Sequence, residues 1–374
     1  MLIALLLAAV FLAYANGAND NFKGVATLFG SQSSGYREAL TWACWTTLAG
    51  SLASVWVAQG LLSTFSGKGL VPDATAASPH FLVSVGFGAA ATVLAASYLG
   101  LPISTTHALT GALVGAGLVH GAGEVAFSHL GSTFFIPLLV SPLLAMALTV
   151  GVYLIFRMGR LRLGIDKESC LCVGSEIIES ELLPAAGEQL LQPIPVFQPK
   201  IGSNPTCQHV YVGKFLGVPV AAALTKLHYL SAGAVGFARG LNDTPKIAAL
   251  LIAASMLSPV TRYAVVALFI ALGGWFSARR VAETMSHRIT GLNPGQGFSA
   301  NLVTSLLVIA ASRLGMPVST THVGVGSLFG IGLLAGSADH RVMASIVSSW
   351  VGTLPLAALL AAMVSRLITF SYGP

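Results

Sequence analysis

Two short polar segments of this sequence lie inside otherwise apolar stretches, and each has the pattern Asn-Asp-x-x-Lys. A buried carboxylate in an apolar helix costs at least about 2.5–3.5 kcal/mol unless a cation, a proton or a fixed partner compensates it. Aspartate and asparagine oxygens suit a hard cation, so we predict that Asp20 and Asp243 bind Na⁺ or H⁺ for coupling. A structural ion pair between each aspartate and its lysine is the alternative. The two patterns comprise Asn19, Asp20 and Lys23 in the first copy, and Asn242, Asp243 and Lys246 in the second.

A second pattern, Ser-Thr-Thr-His two residues after a proline, follows each Asn-Asp copy. Proline followed by hydroxyl residues predicts the start of a helix, where free N–H groups and the helix dipole attract an anion. A cap needs one hydroxyl, so three hydroxyls favour binding of a tetrahedral oxyanion, with capping alone as the alternative. The residues are Ser104, Thr105, Thr106 and His107, and Ser319, Thr320, Thr321 and His322.

Other polar residues near these patterns have less certain chemistry. His107 and His322 are candidate proton carriers, although a histidine that only packs between helices fits equally well. Lys23 and Lys246 are candidate accessory ligands of the anion instead of partners of the aspartates. Arg239 has no counterpart in the first copy, where Asn16 occupies the equivalent position, and we assign it no ligand role.

The order and spacing of the patterns indicate an internal duplication. The second Asn-Asp pair follows the first by 223 positions, and the distance from aspartate to histidine is 87 residues in one copy and 79 in the other. Such a repeat is typical of carriers whose two halves share a binding site at their interface.

Composition predicts that lipid is the main solvent of this chain. Only 9% of its 374 residues are charged, 55% are hydrophobic and the mean hydropathy is +0.80. Soluble proteins carry roughly 25% charged residues. The net charge of +6 comes with no basic cluster interleaved with aromatic residues, so we expect no nucleic-acid partner and interpret the excess as a positive-inside bias.

We therefore predict an all-α integral membrane protein with two inverted-topology repeats, broken or re-entrant helices and about 10–12 membrane segments. The predicted divisions are a first repeat at 1–156, a linker at 157–214 and a second repeat at 215–374. Positive charge flanks the linker, which places it in the cytoplasm and both termini outside. Cys170, Cys172 and Cys207 in the linker do not complete a familiar zinc pattern, and their role is left open.

The doubled Gly-x-Asn-Asp and Pro-x-Ser-Thr-Thr-His elements resemble the PiT family of inorganic phosphate transporters, from about Ala15 to Gly336 without the linker. This resemblance implies cation-coupled symport of inorganic phosphate, with Na⁺ or H⁺, across the plasma (cell inner) membrane by alternating access, and no cofactor. It implies phosphate binding by the hydroxyl triplets and cation binding by the Asn-Asp pairs. Lys23 departs from the small residue expected at its position.

Three other functions are open at this point. Transport of sulfate or another oxyanion belongs to the same class. A membrane-embedded phosphatase needs a nucleophile and a base, but a symmetric duplication fits two half-sites of a carrier better, so we predict that the chain is not an enzyme. A structural subunit of a larger complex is the third alternative. A homodimer is also compatible with the sequence.

Overall fold

The structure is a computed structural model that describes residues 1–120, 124–165, 169–178, 194–203 and 216–372. The chain divides into two compact units, one formed by Met1–Tyr153 and His228–Pro374 and the other by Leu154–Leu227. The helices are α1 (Leu2–Asp20), α2 (Ala26–Gly30), α3 (Tyr36–Val57), α4 (Gln59–Thr64), α5 (Asp73–Ala76), α6 (Pro79–Tyr98), α7 (Thr105–His120), α8 (Phe127–Leu130), α9 (Ile136–Arg162), α10 (Val220–Ala248), α11 (Pro259–Ser277), α12 (Arg279–Glu283), α13 (Pro294–Arg313), α14 (Thr320–Ala335) and α15 (His340–Tyr372).

Six helical segments of the described residues are long and apolar enough to cross a membrane, which agrees with the predicted class of integral membrane protein. The α14 helix is apolar but shorter, and at about 1.5 Å per residue its 16 residues cover less than a full bilayer core. The six segments are Leu2–Gly24, Pro79–Tyr98, Phe127–Arg162, Pro259–Ser277, Pro294–Arg313 and His340–Ser371.

Several helices begin where the sequence carries a start signal. Asn293 and Gln296 form a reciprocal capping box in front of α13, and Pro294 occupies its first turn. A proline at this position loses no helical hydrogen bond, because the first N–H groups of a helix have no partner within it. Ser258 caps α11 by accepting a hydrogen bond from the Thr261 N–H.

The two Asn-Asp segments differ in backbone structure. In the first copy α1 ends at Asp20 and a 3₁₀ turn covers Asn21–Gly24 before α2 begins, as expected for a discontinuous helix. In the second copy α10 runs without interruption through Asn242 and Asp243 to Ala248. Pro245 lies inside α10 and has no N–H to donate to the carbonyl four residues earlier. The predicted break is therefore found in the first copy, and the second copy has a proline within a continuous helix.

Paired glycines bring each Asn-Asp helix against a helix of the other sequence repeat. A Cβ atom on Gly17 of α1 would collide with the Ile270 carbonyl of α11, and one on Gly240 of α10 would collide with the Thr47 carbonyl of α3. The two contacts are equivalent, because Gly17 and Gly240 are 223 residues apart and Thr47 and Ile270 are separated by the same 223 residues. Helices without side chains at the contact can approach closely, as is common in membrane proteins.

A second pair of glycine contacts connects the helices that begin at the Ser-Thr-Thr segments. Gly111 of α7 lies against the Leu354 carbonyl of α15, and Gly326 of α14 lies against the Pro142 carbonyl of α9. Each helix again packs on the long helix of the other repeat. These contacts place the N-termini of α7 and α14 in the interior of the helical unit. The opposite orientation of the two repeats in the membrane stays a prediction, as do the predicted divisions at 156/157 and 214/215.

The unit formed by Leu154–Leu227 contains three antiparallel strands that the sequence analysis did not predict. They are β1 (Ser169–Ile178), β2 (Ile194–Ser203) and β3 (Leu216–Pro219), in the order β2-β1-β3. Ser169 pairs with Ser203 and Cys170 pairs with Pro219. Cys170 is buried, whereas Cys207 lies outside the described residues. The all-α prediction thus describes the membrane-spanning helices and not this segment.

Candidate functional site

The Asn-Asp and Ser-Thr-Thr segments of both repeats meet in the interior of the helical unit. All five charged side chains that are buried among the described residues lie in this cluster, each at most 9% exposed. The N-termini of α7 and α14 face the cluster through hydrogen bonds that cross between the repeats. The five residues are Asp20, Lys23, Arg239, Asp243 and Lys246.

Oxygen atoms from both repeats surround the Lys23 ammonium group. Its Nζ donates to Asn19 Oδ1 at 2.8 Å and contacts Asp20 Oδ1, both within its own repeat. It also donates to the Ile103 carbonyl at 2.7 Å and to the Thr321 hydroxyl at 2.6 Å. Thr321 belongs to the second repeat, so this lysine joins the two repeats.

Lys246 makes the matching set of contacts from the other side. Its Nζ lies 2.8 Å from the Thr106 hydroxyl, 2.8 Å from the Val318 carbonyl and 3.5 Å from Asp243 Oδ1. Thr106 in turn donates to the Val318 carbonyl at 3.2 Å, just as Thr321 donates to the Ile103 carbonyl at 2.9 Å. Each lysine therefore reaches the third hydroxyl residue of the opposite repeat.

Asn19 and Asn242 connect their segments to the chain that precedes α7 and α14. Asn19 donates to Ser97 Oγ at 3.0 Å and to the Leu101 carbonyl at 3.0 Å, and it accepts from the Ile103 N–H at 3.2 Å. Asn242 donates to the Val318 carbonyl at 3.2 Å and accepts from Ser312 Oγ at 3.2 Å.

Ser97 and Ser312 were not among the predicted site residues, although they lie 215 residues apart, the same separation as the two hydroxyl triplets. That shared separation is the signal that identifies them.

The second oxygen of each carboxylate has a different environment in the two copies. Asp20 Oδ2 accepts from Asn16 Nδ2 at 2.9 Å and from the Thr105 hydroxyl at 2.8 Å. Asp243 Oδ2 accepts from Asn16 Nδ2 at 3.3 Å and lies 3.7 Å from Arg239 Nε. Both oxygens thus share the Asn16 donor, and they differ in the second neighbour, which is the neutral Thr105 hydroxyl in one copy and the Arg239 guanidinium in the other.

Arg239 is part of the cluster, although the sequence analysis assigned it no role. Its guanidinium is 1% exposed and donates to Asn21 Oδ1 at 2.8 Å and to Asn16 Oδ1 at 2.6 Å. Asn16 and Arg239 occupy equivalent positions of the repeats and contact each other, so the repeats meet at this pair. The available signal was an arginine inside an apolar segment one helical turn before an aspartate.

The hydroxyl triplets divide into caps and bridging residues. Ser104 Oγ and Ser319 Oγ accept hydrogen bonds from the His107 and His322 N–H groups at 3.1 and 3.2 Å, which is ordinary N-capping. Three of the four threonines, Thr105, Thr106 and Thr321, instead contact Asp20, the lysines and the carbonyls described above. Within the part of the chain that the structure describes, the Thr320 hydroxyl is hydrogen-bonded to no other residue, and the side chain is buried.

The two histidines contact each other and an apolar groove. Their ring centroids are 4.5 Å apart, and the His322 ring stacks on Trp350 at 3.8 Å. His322 Nδ1 lies 3.1 Å from the Leu138 carbonyl. Together with apolar side chains of α9 and α15 they line a cavity of about 570 Å³. Among the described residues neither ring is hydrogen-bonded to an aspartate of the cluster.

The charges of the cluster favour an anionic ligand. Three cationic and two anionic side chains give a net charge of +1 when all are ionised. The first N–H groups of α7 and α14 have no carbonyl partner within their helices and add partial positive charge. One oxygen of each aspartate, Oδ1, contacts a lysine ammonium group in this structure, and the assignment of Na⁺ to Asp20 and Asp243 stays a prediction.

Comparison with known proteins agrees with this chemistry. A family model described as "Phosphate transporter family" matches residues 16–361. The chain is 28% identical to the "Probable low-affinity inorganic phosphate transporter" of Rhizobium meliloti (strain 1021), covering 97% of this chain and 95% of that protein. It is also 28% identical to "Inorganic phosphate transporter 2-1, chloroplastic" of Arabidopsis thaliana, over 98% of this chain and 72% of that protein.

A solved structure described as "The sodium-dependent phosphate transporter" has the same fold, with a TM-score of 0.74 and 21% identity over 99% of both chains. The proteins matched in these comparisons are permeases and transporters, which confirms the prediction that the chain is not an enzyme. The match of the family model spans both sequence repeats and nearly the whole length of the chain. The chain belongs to the phosphate transporter family.

Proposed function

We propose that the protein is a secondary carrier that moves inorganic phosphate together with Na⁺ or H⁺ across the plasma (cell inner) membrane. Transport proceeds by alternating access between two repeats of inverted topology. The family supports phosphate as the substrate, and the description of the structural neighbour as sodium-dependent supports a coupled cation. The protein is a multi-pass membrane protein with its linker in the cytoplasm and both termini outside.

The observation that carries this proposal is the exchange of contacts between the repeats at the charged cluster. Lys23 of the first repeat donates to Thr321 of the second, and Lys246 of the second donates to Thr106 of the first. A site built from both repeats is opened to one side or the other when the repeats move against each other, which is the arrangement that alternating access requires.

In this mechanism phosphate binds between the N-termini of α7 and α14. The free N–H groups of both helices and the threonine hydroxyls are donors for a tetrahedral oxyanion that has acceptors in every direction. Ser104 and Ser319 hold the first turn of each helix in shape. Asp20 and Asp243, positioned with Asn19 and Asn242, are the groups that link phosphate binding to a cation. His107 and His322 are accessory residues at the neighbouring groove.

Uptake of radiolabelled phosphate into proteoliposomes tests this proposal. Separate inward gradients of Na⁺ and of protons are imposed, and empty liposomes are the control. We expect uptake above the control under at least one of the two gradients. Uptake that neither gradient accelerates would contradict cation coupling, and preferential uptake of radiolabelled sulfate would instead favour the oxyanion alternative.

Cysteine labelling tests the proposed orientation. Arg162 at the end of α9 and Ser371 at the end of α15 are both exposed. In a variant without native cysteines, R162C is expected to react with an impermeant thiol reagent from the cytoplasmic side only, and S371C from the outside only. Reaction of both from the same side would contradict inverted topology.

A further inference from the structure

The oxygen atoms around the two lysines of the cluster are of the kind that bind hard metal cations. The Lys23 ammonium group is surrounded by one carboxylate, one amide, one backbone carbonyl and one hydroxyl oxygen. The Lys246 group has a carboxylate, a backbone carbonyl and a hydroxyl oxygen. Carboxylate and carbonyl oxygens are the ligands that hard cations prefer, and here they surround nitrogen atoms that carry their own positive charge.

The carboxylates of the cluster also accept from protein donors at both of their oxygens. Both oxygens of Asp20 are used, one by Lys23 and the other by Asn16 and Thr105. Both oxygens of Asp243 face cations or amide donors as well, from Asn242, Lys246, Asn16 and Arg239. A sodium ion would have to displace an ammonium group to use these oxygens.

The balance of charge leads to the same result. With the three cationic and two anionic side chains ionised, the cluster carries +1 before any ligand binds. A monovalent phosphate, H₂PO₄⁻, brings this to zero. A bound sodium ion would raise the charge of a buried site further, and such uncompensated buried charge is costly. A divalent anion alone would leave the site with an excess negative charge, and a sodium ion that offset it would first have to displace an ammonium group from the oxygens described above.

We infer that the Lys23 and Lys246 ammonium groups occupy the positions of coupling cations, so that this chain binds and exchanges monovalent phosphate without Na⁺. The two lysines are thus specificity-determining residues that act as built-in cations. This inference rests on the proposed function and names the substrate form and the cation requirement of the same site: of the two cations in that proposal it retains H⁺ and excludes Na⁺. It separates this chain from its structural neighbour, which is described as sodium-dependent.

Phosphate exchange by the purified full-length protein in proteoliposomes tests the inference without any gradient. Exchange of internal for external phosphate is measured in about 100 mM NaCl and in N-methylglucamine chloride at the same ionic strength, so that screening is constant. We expect equal exchange in both buffers and at least roughly tenfold weaker competition by sulfate, a dianion, than by phosphate. Exchange that requires Na⁺ would overturn the inference, as would equal competition by sulfate. Absence of exchange in every buffer would overturn the proposed function itself.

Lysine variants test whether the ammonium groups are responsible. Lys23→Asn and Lys246→Asn each remove a charge and leave a short oxygen ligand, while Lys68→Asn at an exposed position is the control. Phosphate binding is followed by thermal stabilisation of the purified proteins. In Na⁺-free buffer we expect the two site variants to bind phosphate roughly tenfold or more weakly than the wild type. The control should bind phosphate as the wild type does. Added Na⁺ should then strengthen binding by the site variants but not by the wild type. Unchanged binding in Lys23→Asn and Lys246→Asn, or variants that Na⁺ does not affect, would overturn the inference.

Discussion

The two Asn-Asp copies of this chain form similar networks from different partners. In the first copy, Asp20 has one cation, Lys23, and its second oxygen is bound by neutral groups of Asn16 and Thr105. In the second copy, Asp243 lies 3.5 Å from Lys246 and 3.7 Å from Arg239. The position that holds asparagine in one repeat holds arginine in the other.

This difference shows that a duplicated site need not have interchangeable halves. Asn16 and Arg239 contact each other at the junction of the repeats. If the two repeats were identical, two copies of the same residue would be in contact there. Two arginines there would repel each other, and two asparagines would leave the cluster with no net positive charge for an anion. One asparagine and one arginine avoid the repulsion and keep the net positive charge of the cluster.

Loss of the carboxylates is expected to have the largest effect. Asp20→Asn and Asp243→Asn should each abolish phosphate uptake, because the cations beside them become unpaired at a cost of about 3–5 kcal/mol for a broken buried pair. Asp243→Asn should destabilise the protein more, since two cations depend on Asp243 and one on Asp20. Proteoliposome uptake and thermal unfolding measure both effects, with the exposed Asp73→Asn as the control. Uptake at the wild-type rate in both site variants would show that the carboxylates have no role in coupling.

The asymmetric pair gives the next largest effect. Arg239→Met removes a buried cation and leaves the Asn16 and Asn21 oxygens without their donor. We expect a loss of about 3–5 kcal/mol in the free energy of unfolding. Asn16→Ala loses only hydrogen bonds, at about 1–3 kcal/mol.

The controls for this pair are Arg313→Met at an exposed position and Arg239→Lys. A single ammonium group cannot reproduce the forked contacts of the guanidinium, so Arg239→Lys should recover only part of the loss. Equal destabilisation by Arg239→Met and Asn16→Ala in thermal unfolding would mean that the two repeats are equivalent at this position.

The glycine contacts should give smaller effects that are the same in both copies. Gly17→Ala and Gly240→Ala each place a methyl group against a backbone carbonyl of the neighbouring helix. Overpacking of this kind costs about 1–3 kcal/mol. Gly151→Ala in α9, where a Cβ would meet no atom within 4 Å, is the matched control and should be neutral or slightly stabilising. A large difference in thermal stability between Gly17→Ala and Gly240→Ala would show that the two glycine contacts are not equivalent.

Local sequence signals were sufficient for those parts of the structure that depend on neighbours along the chain. The 3₁₀ turn at Asn21–Gly24 coincides with the polar interruption of an apolar segment, and Ser104 and Ser319 cap helices as proline-hydroxyl patterns predict. The class of membrane protein followed from composition, because few charged residues leave no means to solvate a surface.

Contacts between the repeats could not be predicted in the same way. Nothing in the spacing of Lys23 indicates that it reaches Thr321, which lies 298 residues away. Arg239 was assigned no ligand role because it has no counterpart in the first repeat, where Asn16 holds its position, and the sequence does not show that these two residues are in contact. The three strands were also missed, although β1 and β2 are neighbours along the chain and their pairing begins with Ile178 and Ile194.

Thr105 and Thr320 hold equivalent positions and provide the finest test of the comparison. The Thr105 hydroxyl donates to Asp20 Oδ2 at 2.8 Å and accepts from Asn16 at 3.0 Å. In the described residues the Thr320 hydroxyl has no such partner. Thr105→Val should therefore lower the free energy of unfolding by about 1–3 kcal/mol, because a buried carboxylate loses a donor. Thr320→Val should leave stability nearly unchanged.

Phosphate affinity then separates the two roles proposed for these hydroxyls. A hydroxyl that donates to a charged ligand contributes about 1.5–3 kcal/mol, so loss of the Thr320 donor should weaken phosphate binding by roughly tenfold or more. Because this variant keeps its stability, weaker binding cannot be attributed to a damaged fold. Titration of purified Thr320→Val with phosphate, beside the wild type and the double variant of Thr105 and Thr106, makes the measurement. Unchanged affinity in Thr320→Val would show that the Thr320 hydroxyl does not donate to phosphate at the start of α14.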